Sequence, residues 1–263
     1  MRYFIELQYD GAAYCGWQRQ PDAQTVQGTI EQRLSMLCGM PIEIVGAGRT
    51  DTGVNASFYI AHFDAERALD TAQLTYKLNK VLPSDIAILR IYEVEPVKHA
   101  RFDAKEREYT YFLTPHKSPF RRFSAWHYNV DLDIEKMNLA ARKLLEYDDF
   151  TSFAKLNSNN HTNICHIVHA EWIVERDGTL RFTIRADRFL RNIHRNFRSN
   201  SYRCAGEPVA GPGSDGRYSV PVPFSCLQVS IFPINIGNPK YYNTGKPQSR
   251  QRKKAKSQIV HIR

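Results

Sequence analysis

The stretch Gly46-Ala47-Gly48-Arg49-Thr50-Asp51-Thr52-Gly53-Val54-Asn55-Ala56 lies between two apolar runs, Pro41-Ile42-Glu43-Ile44-Val45 and Phe58-Tyr59-Ile60-Ala61-His62-Phe63, and reads as a loop between two strands. Three glycines within eight residues let its backbone enter conformations that a Cβ forbids and bring peptide groups close to a ligand. One carboxylate, Asp51, stands near its centre. Arg49, two residues away, supplies a fixed cation that favours an ionised neighbour and could grip it in a bidentate contact. Residue types alone leave two readings open. Asp51 is a positioned nucleophile or base, or the loop is a glycine-rich turn in which Asp51 caps and Arg49 makes a surface pair.

Working outward, Tyr3 to Tyr9 alternates Tyr3, Ile5, Leu7 and Tyr9 against Phe4, Glu6 and Gln8, the pattern of an antiparallel strand covered on one face. The run Tyr14 to Pro21 mixes aromatic, cationic and amide side chains, which suits nucleotide contacts and a packed surface loop equally. Thr25 caps a helix whose stripe is Val26, Ile30, Leu34 and Leu37, ending at Gly39. A second helix starts at Asp70 or Thr71, and a strand spans Ile86 to Val94. The order strand, helix, strand, strand, helix, strand is that of a split βαβ, ferredoxin-like unit.

A second half begins at the strand around Tyr109-Thr110-Tyr111-Phe112-Leu113, where alternation puts Tyr109 and Tyr111 on one face. A tyrosine there can stack on a base and offer its hydroxyl for proton transfer, or fill a core. A helix spans Asp133 to Glu146, and two strands, Ile167 to Val174 and Leu180 to Ala186, join through Asp177-Gly178. His161, Cys165, His166 and His169 crowd together, but their spacing matches no common zinc arrangement, so no metal is expected.

With 263 residues and 42% hydrophobic content the chain can build one large or two medium cores and stands apart from disordered compositions. No run of about 18 apolar residues is present, and the start patterns as a strand rather than a signal peptide, so a cytoplasmic location is expected. Five cysteines without a C-x-x-C pair indicate free thiols. The net charge of +9 suggests a polyanionic partner, but residues 236–263 hold eight Lys and Arg and no acid, so that basic tail, expected to be disordered, accounts for nearly all of it. Within the remainder, Arg181, Arg185, Arg188, Arg191, Arg195, Arg198 and Arg203 face a single acid, Asp187, a local field able to engage phosphates or simply a solvated face.

The Gly46 to Ala56 stretch is similar to the signature of the tRNA pseudouridine synthase A family, Gly-Ala-Gly-Arg-Thr-Asp-Ala-Gly-Val-His-Ala, agreeing at nine of eleven positions and departing at Thr52 and Asn55. Gly16-Trp17-Gln18, Leu78-Asn79, Leu82-Pro83-Ser84-Asp85-Ile86, the Arg107-x-Tyr109-x-Tyr111 pattern, Asp149 to Phe153 and the Phe189-Leu190 segment also resemble family elements. The resemblance implies that Asp51 is catalytic, that Tyr109 contacts the target uracil, that Arg195 pairs with the Asp51 carboxylate, and that Arg49 belongs to the substrate-binding set. The implied fold is α/β (α+β): two ferredoxin-like halves sharing a central, mostly antiparallel sheet with a cleft between them. The halves are expected at 1–104 and 105–235. The implied activity is isomerisation of uridine to pseudouridine in the anticodon arm of tRNA, at nucleotides 38 to 40, without a cofactor and by a homodimer.

Beyond Arg195 the resemblance breaks over Phe197 to Pro223, and Leu227 to Pro233 looks like the family's closing strand again. A shift of reading frame would account for the break, since Asn-Phe-Arg-Ser-Asn-Ser-Tyr can be encoded so that the next frame reads Ile-Phe-Gly-Ala-Ile-Leu-Thr; resequencing the coding region tests this. The break also motivates an alternative, a catalytically degenerate RNA-binding or tRNA-chaperone protein.

Overall fold

The computed structural model describes residues 1–128, 131–151, 162–189 and 227–233. In chain order the elements are β1 (Arg2–Tyr9), α1 (Val26–Cys38), β2 (Ile44–Gly46), β3 (Asn55–Asp64), α2 (Thr71–Val81), β4 (Ile86–Val94), β5 (Ala104–Thr114), the two-residue β6 (Trp126–His127), α3 (Ile134–Leu144), β7 (Ile167–Val174), β8 (Leu180–Ala186) and β9 (Leu227–Pro233). This mixed α/β architecture agrees with the pseudouridine synthase fold that the resemblance implies. The chain forms two compact units. The first holds Met1–Tyr111, Pro119–Trp126 and β9; the second holds Phe112–Ser118 and the described parts of His127–Val222.

In the first unit β1 pairs antiparallel with both β3 and β4. Tyr3, Ile5, Leu7 and Tyr9 are buried as their alternation predicts, but so are Phe4 and Glu6 on the other face. Phe4 packs against the rings of His62 and Tyr92, and the Glu6 carboxylate is covered by Arg90, 2.5 Å away, and by the Tyr92 hydroxyl, which donates to it at 3.2 Å. The central strand is therefore covered on both faces, because a charged pair and an aromatic cluster screen the side that its polar residues suggested was wet.

Helix α1 begins where Thr25 accepts from the Gly28 N–H and stops at Gly39, whose φ of 68° terminates it in the left-handed region. Its buried stripe is Val26, Ile30, Glu31, Leu34 and Cys38 rather than the expected set ending at Leu37. The reason is Glu31: its carboxylate accepts from the Ile44 N–H at 2.9 Å, while Gln27 donates to the Ile44 carbonyl at 3.0 Å. The helix thereby holds the strand that leads into the Asp51 loop.

The other edge of β3 is shared. Its last residues, Ala61 to Phe63, pair with β2, and its first, Asn55 to Phe58, pair in parallel with β9. β9 in turn pairs antiparallel with β5 from Ala104 to Tyr111. The chain leaving β2 thus runs back along β3 toward the place where β9 joins.

In the second unit β7 and β8 form a hairpin over Ile167 to Ala186, turned by Asp177-Gly178 with Gly178 at φ 78°. The Trp172 and Phe182 rings stack at 4.7 Å between centroids. α3 is capped by Asp133, which accepts from the Lys136 N–H, and packs Met137 and Ala141 inward. His166 binds Asp148 at 3.0 Å, and Cys165 is buried with its thiol on the Arg188 carbonyl at 2.7 Å. Among the described residues no group of three or more His, Cys, Asp or Glu is placed to hold a metal ion.

Candidate active site

The Asp51 loop is tied down on nearly every side except that of Asp51. Ala47 N–H continues the β2 ladder to the Ile60 carbonyl at 2.9 Å. The Tyr59 hydroxyl reaches back to Gly48, donating to its carbonyl and lying 3.3 Å from its N–H. Thr50 is buried, with its hydroxyl 2.9 Å from that of Tyr9 and its carbonyl accepting from the Trp17 N–H at 3.2 Å. Gly53 N–H donates to the Tyr14 carbonyl, and Asn55 accepts from the Gly11 N–H at 2.8 Å. Because Thr50 is fixed inward, its neighbours Arg49 and Asp51 stand exposed. The loop is a rigid mount for an outward carboxylate.

Glycine serves here mainly as space. Only Gly53 in this loop has positive φ, 77°. A Cβ on Gly46 would lie 2.3 Å from the Tyr59 hydroxyl oxygen and 2.5 Å from the Trp17 indole, so its absence lets those rings pack under the loop. Gly16 needs both freedoms: φ is 83°, and a Cβ would meet the Thr50 carbonyl oxygen at 2.4 Å. Trp17 and Tyr14 are buried, and the Trp17 and Tyr59 rings lie 4.2 Å apart. Of the two roles open to the Tyr14 to Pro21 run, the structure gives Tyr14, Gly16 and Trp17 the packed one, as the floor of the Asp51 loop.

Tyr109 reaches the site through strand order. Ala56 of β3 pairs with Val229 of β9, and Val229 pairs with Tyr109 of β5. Two strand spacings of roughly 4.8 Å each therefore separate Tyr109 from the residue that follows the loop. Its hydroxyl lies deep among protein atoms although the residue keeps some exposed surface. Burial pushes the phenol up to about 12; Arg107 opposes that, and the negative charge of Asp51 adds to it, so the carboxylate and the phenol lie in each other's field. Tyr9 and Tyr59 are likewise raised by burial, and Tyr109 acts on both.

One sequence possibility is not realised, and another lies outside the described residues. Arg49 and Asp51 form no ion pair among the described residues; in solvent such a contact gains little against the entropy of two side chains. Arg195 lies outside the described residues, as do Arg191, Arg198 and Arg203. The sequence assigned no site role to Tyr9, Tyr59 or Arg107. Arg107 donates to the carbonyls of Ala104, Arg101 and Ala47 at 3.1, 3.2 and 3.5 Å, tying β5 to the start of the loop. Its strand parity with Tyr109 was the available signal.

A carboxylate held by its backbone, within the field of a neutral phenol, suits nucleophilic or base chemistry on a planar substrate. The family profile described as tRNA pseudouridine synthase matches residues 7–103. The tRNA pseudouridine synthase A of Bacteroides thetaiotaomicron is 53% identical over 196 residues, 74% of this chain and 73% of that protein. That of Parabacteroides distasonis is 51% identical over 195 residues, 74% of this chain and 77% of its own. A more distant one, from Colwellia psychrerythraea, is 40% identical over 199 residues, covering 74% and 76%.

Proposed function

The chain belongs to the tRNA pseudouridine synthase A family, and from that premise we propose that it isomerises uridine to pseudouridine in the anticodon arm of tRNA with Asp51 as the catalytic group. The reaction breaks the N1 to C1′ bond and joins C1′ to C5; C5 gives up a proton and N1 gains one, so atoms and electrons balance without a redox partner. The target base must leave its stack, at a cost of a few kcal/mol. Asp51 acts on the extruded nucleotide as nucleophile or base. Tyr109 stacks on the uracil and, as a neutral phenol, takes part in the proton transfer at C5 only by passing on its own proton. Arg49, exposed beside Asp51, contacts the RNA backbone, and Arg195 pairs with the carboxylate, as the family pattern implies. The enzyme works as a homodimer in the cytoplasm, a reading supported by its substrate class; among the described residues no helix is long and apolar enough to cross a membrane.

The observation that carries the proposal is a single exposed carboxylate on a fully tied loop with Tyr109 in its field. Carbodiimide mapping of an unmodified tRNA transcript incubated with the protein tests it. Primer-extension stops one nucleotide 3′ of positions 38 to 40 are expected, and stops reporting other positions or none would reject it.

A further inference from the structure

The first unit carries a second feature that the Asp51 site does not use. Pro119–Arg121 forms a single 3-10 turn, and within Pro119-Phe120-Arg121-Arg122-Phe123 two aromatic rings flank two arginines. Phe120 is 98% exposed and Phe123 58% exposed. The guanidinium of Arg122 lies over the Phe123 ring at 4.4 Å from its centroid and also donates to the Pro119 carbonyl at 2.9 Å. The Ser124 and Ala125 N–H groups both donate to the Arg121 carbonyl, at 3.0 and 2.9 Å, and Ala125 is buried. The turn is thus anchored from below while its rings face water.

A single exposed apolar side chain is ordinary. Two rings within four residues, one already stacked under a guanidinium, on a turn fixed by its own hydrogen bonds, form a preorganised aromatic and cationic surface. Its charge has one sign, since no acid occurs between residues 109 and 130. Unstacked bases combine a π-face with a nearby phosphate, and rings flanking arginines match both. We propose that Phe120, Arg122 and Phe123 form an RNA-docking platform that stacks unpaired bases of the tRNA. The proposal rests on the tRNA reading above and adds a contact apart from the reacting uridine.

Fluorescence anisotropy with an unmodified tRNA transcript, using the full chain, tests it. Phe120→Ala/Phe123→Ala should weaken binding roughly tenfold per ring, raise KM, and leave kcat at saturating tRNA and the melting temperature unchanged. Phe120→Leu/Phe123→Leu should be as weak as the alanine pair, because leucine keeps apolar area but has no π-face. Arg122→Ala should lower the slope of log K against log salt by about one. Unchanged affinity in the alanine pair overturns the platform, and so does full recovery by the leucine pair. A dissociated dimer with normal affinity, seen in sedimentation velocity, assigns the rings to a protein interface instead. If the unsubstituted protein neither binds nor converts tRNA, it is the functional reading that fails.

Discussion

Tyr109 shows how position sets chemistry at the level of one side chain. Its hydroxyl lies among protein atoms and within the field of Asp51, and both raise its pKa, to about 12 against the opposing Arg107. A phenol whose pKa is raised keeps its proton through the working range, so no falling limb from Tyr109 should appear in kcat between about pH 7 and 10. Tyr109→Phe keeps the ring and removes the proton. It should lower kcat by about 10² to 10⁴ while leaving tRNA affinity intact, as single-turnover kinetics and a binding isotherm would show; an unaltered kcat would remove the hydroxyl from the chemistry. The exposed loop that carries Asp51 was legible, because glycines between two apolar runs have a local signature, while the role of its carboxylate came only from the family resemblance. The supports of that loop were not legible. The Tyr9 to Thr50 and Tyr59 to Gly48 hydrogen bonds span 41 and 11 residues, and both tyrosines read as plain core from alternation.

Among the elements, an asparagine on one helix of each unit performs the same task. Asn79 of α2 donates to the Ile88 carbonyl and accepts from its N–H, both at 2.8 Å. Asn138 of α3 does the same for Trp172 of β7, at 2.9 and 2.8 Å. Each amide takes the place of a neighbouring strand and, among the described residues, blunts a sheet edge. Asn79→Ala and Asn138→Ala should each cost about 1 to 3 kcal/mol by orphaning two backbone groups, read as a lower denaturant midpoint; a shift under about 0.5 kcal/mol would mean that water replaces the amide freely. The helices and hairpin that carry these residues were readable from caps and periodicity: Thr25, Asp70 and Asp133 each accept from a backbone N–H in the first turn. The place of β9 was not. Leu227 to Pro233 has a strand's composition, but nothing local says that it inserts between β3 and β5, since pairing partners far apart in sequence leave no periodic trace.

At the scale of the molecule, the fold brings Tyr109 within two strands of Ala56 by slotting β9 between β3 and β5, and α1 steadies the opposite end of the loop through Glu31 and Ile44. The net charge of +9 pointed to a polyanion, but its concentration in residues 236–263 made it a poor guide to the rest of the chain. The glycine loop was the better one, because its exposed carboxylate depends on packing rather than on a charge sum. The most direct measurement is tritium release from tRNA transcribed with 5-tritiated uridine, since joining C1′ to C5 expels the C5 hydrogen into water. The unsubstituted protein should release tritium from the anticodon arm, and Asp51→Ala, which alters only an exposed side chain, should fall to background while melting at the same temperature. Equal release from the two proteins would contradict the assignment of the chemistry to Asp51.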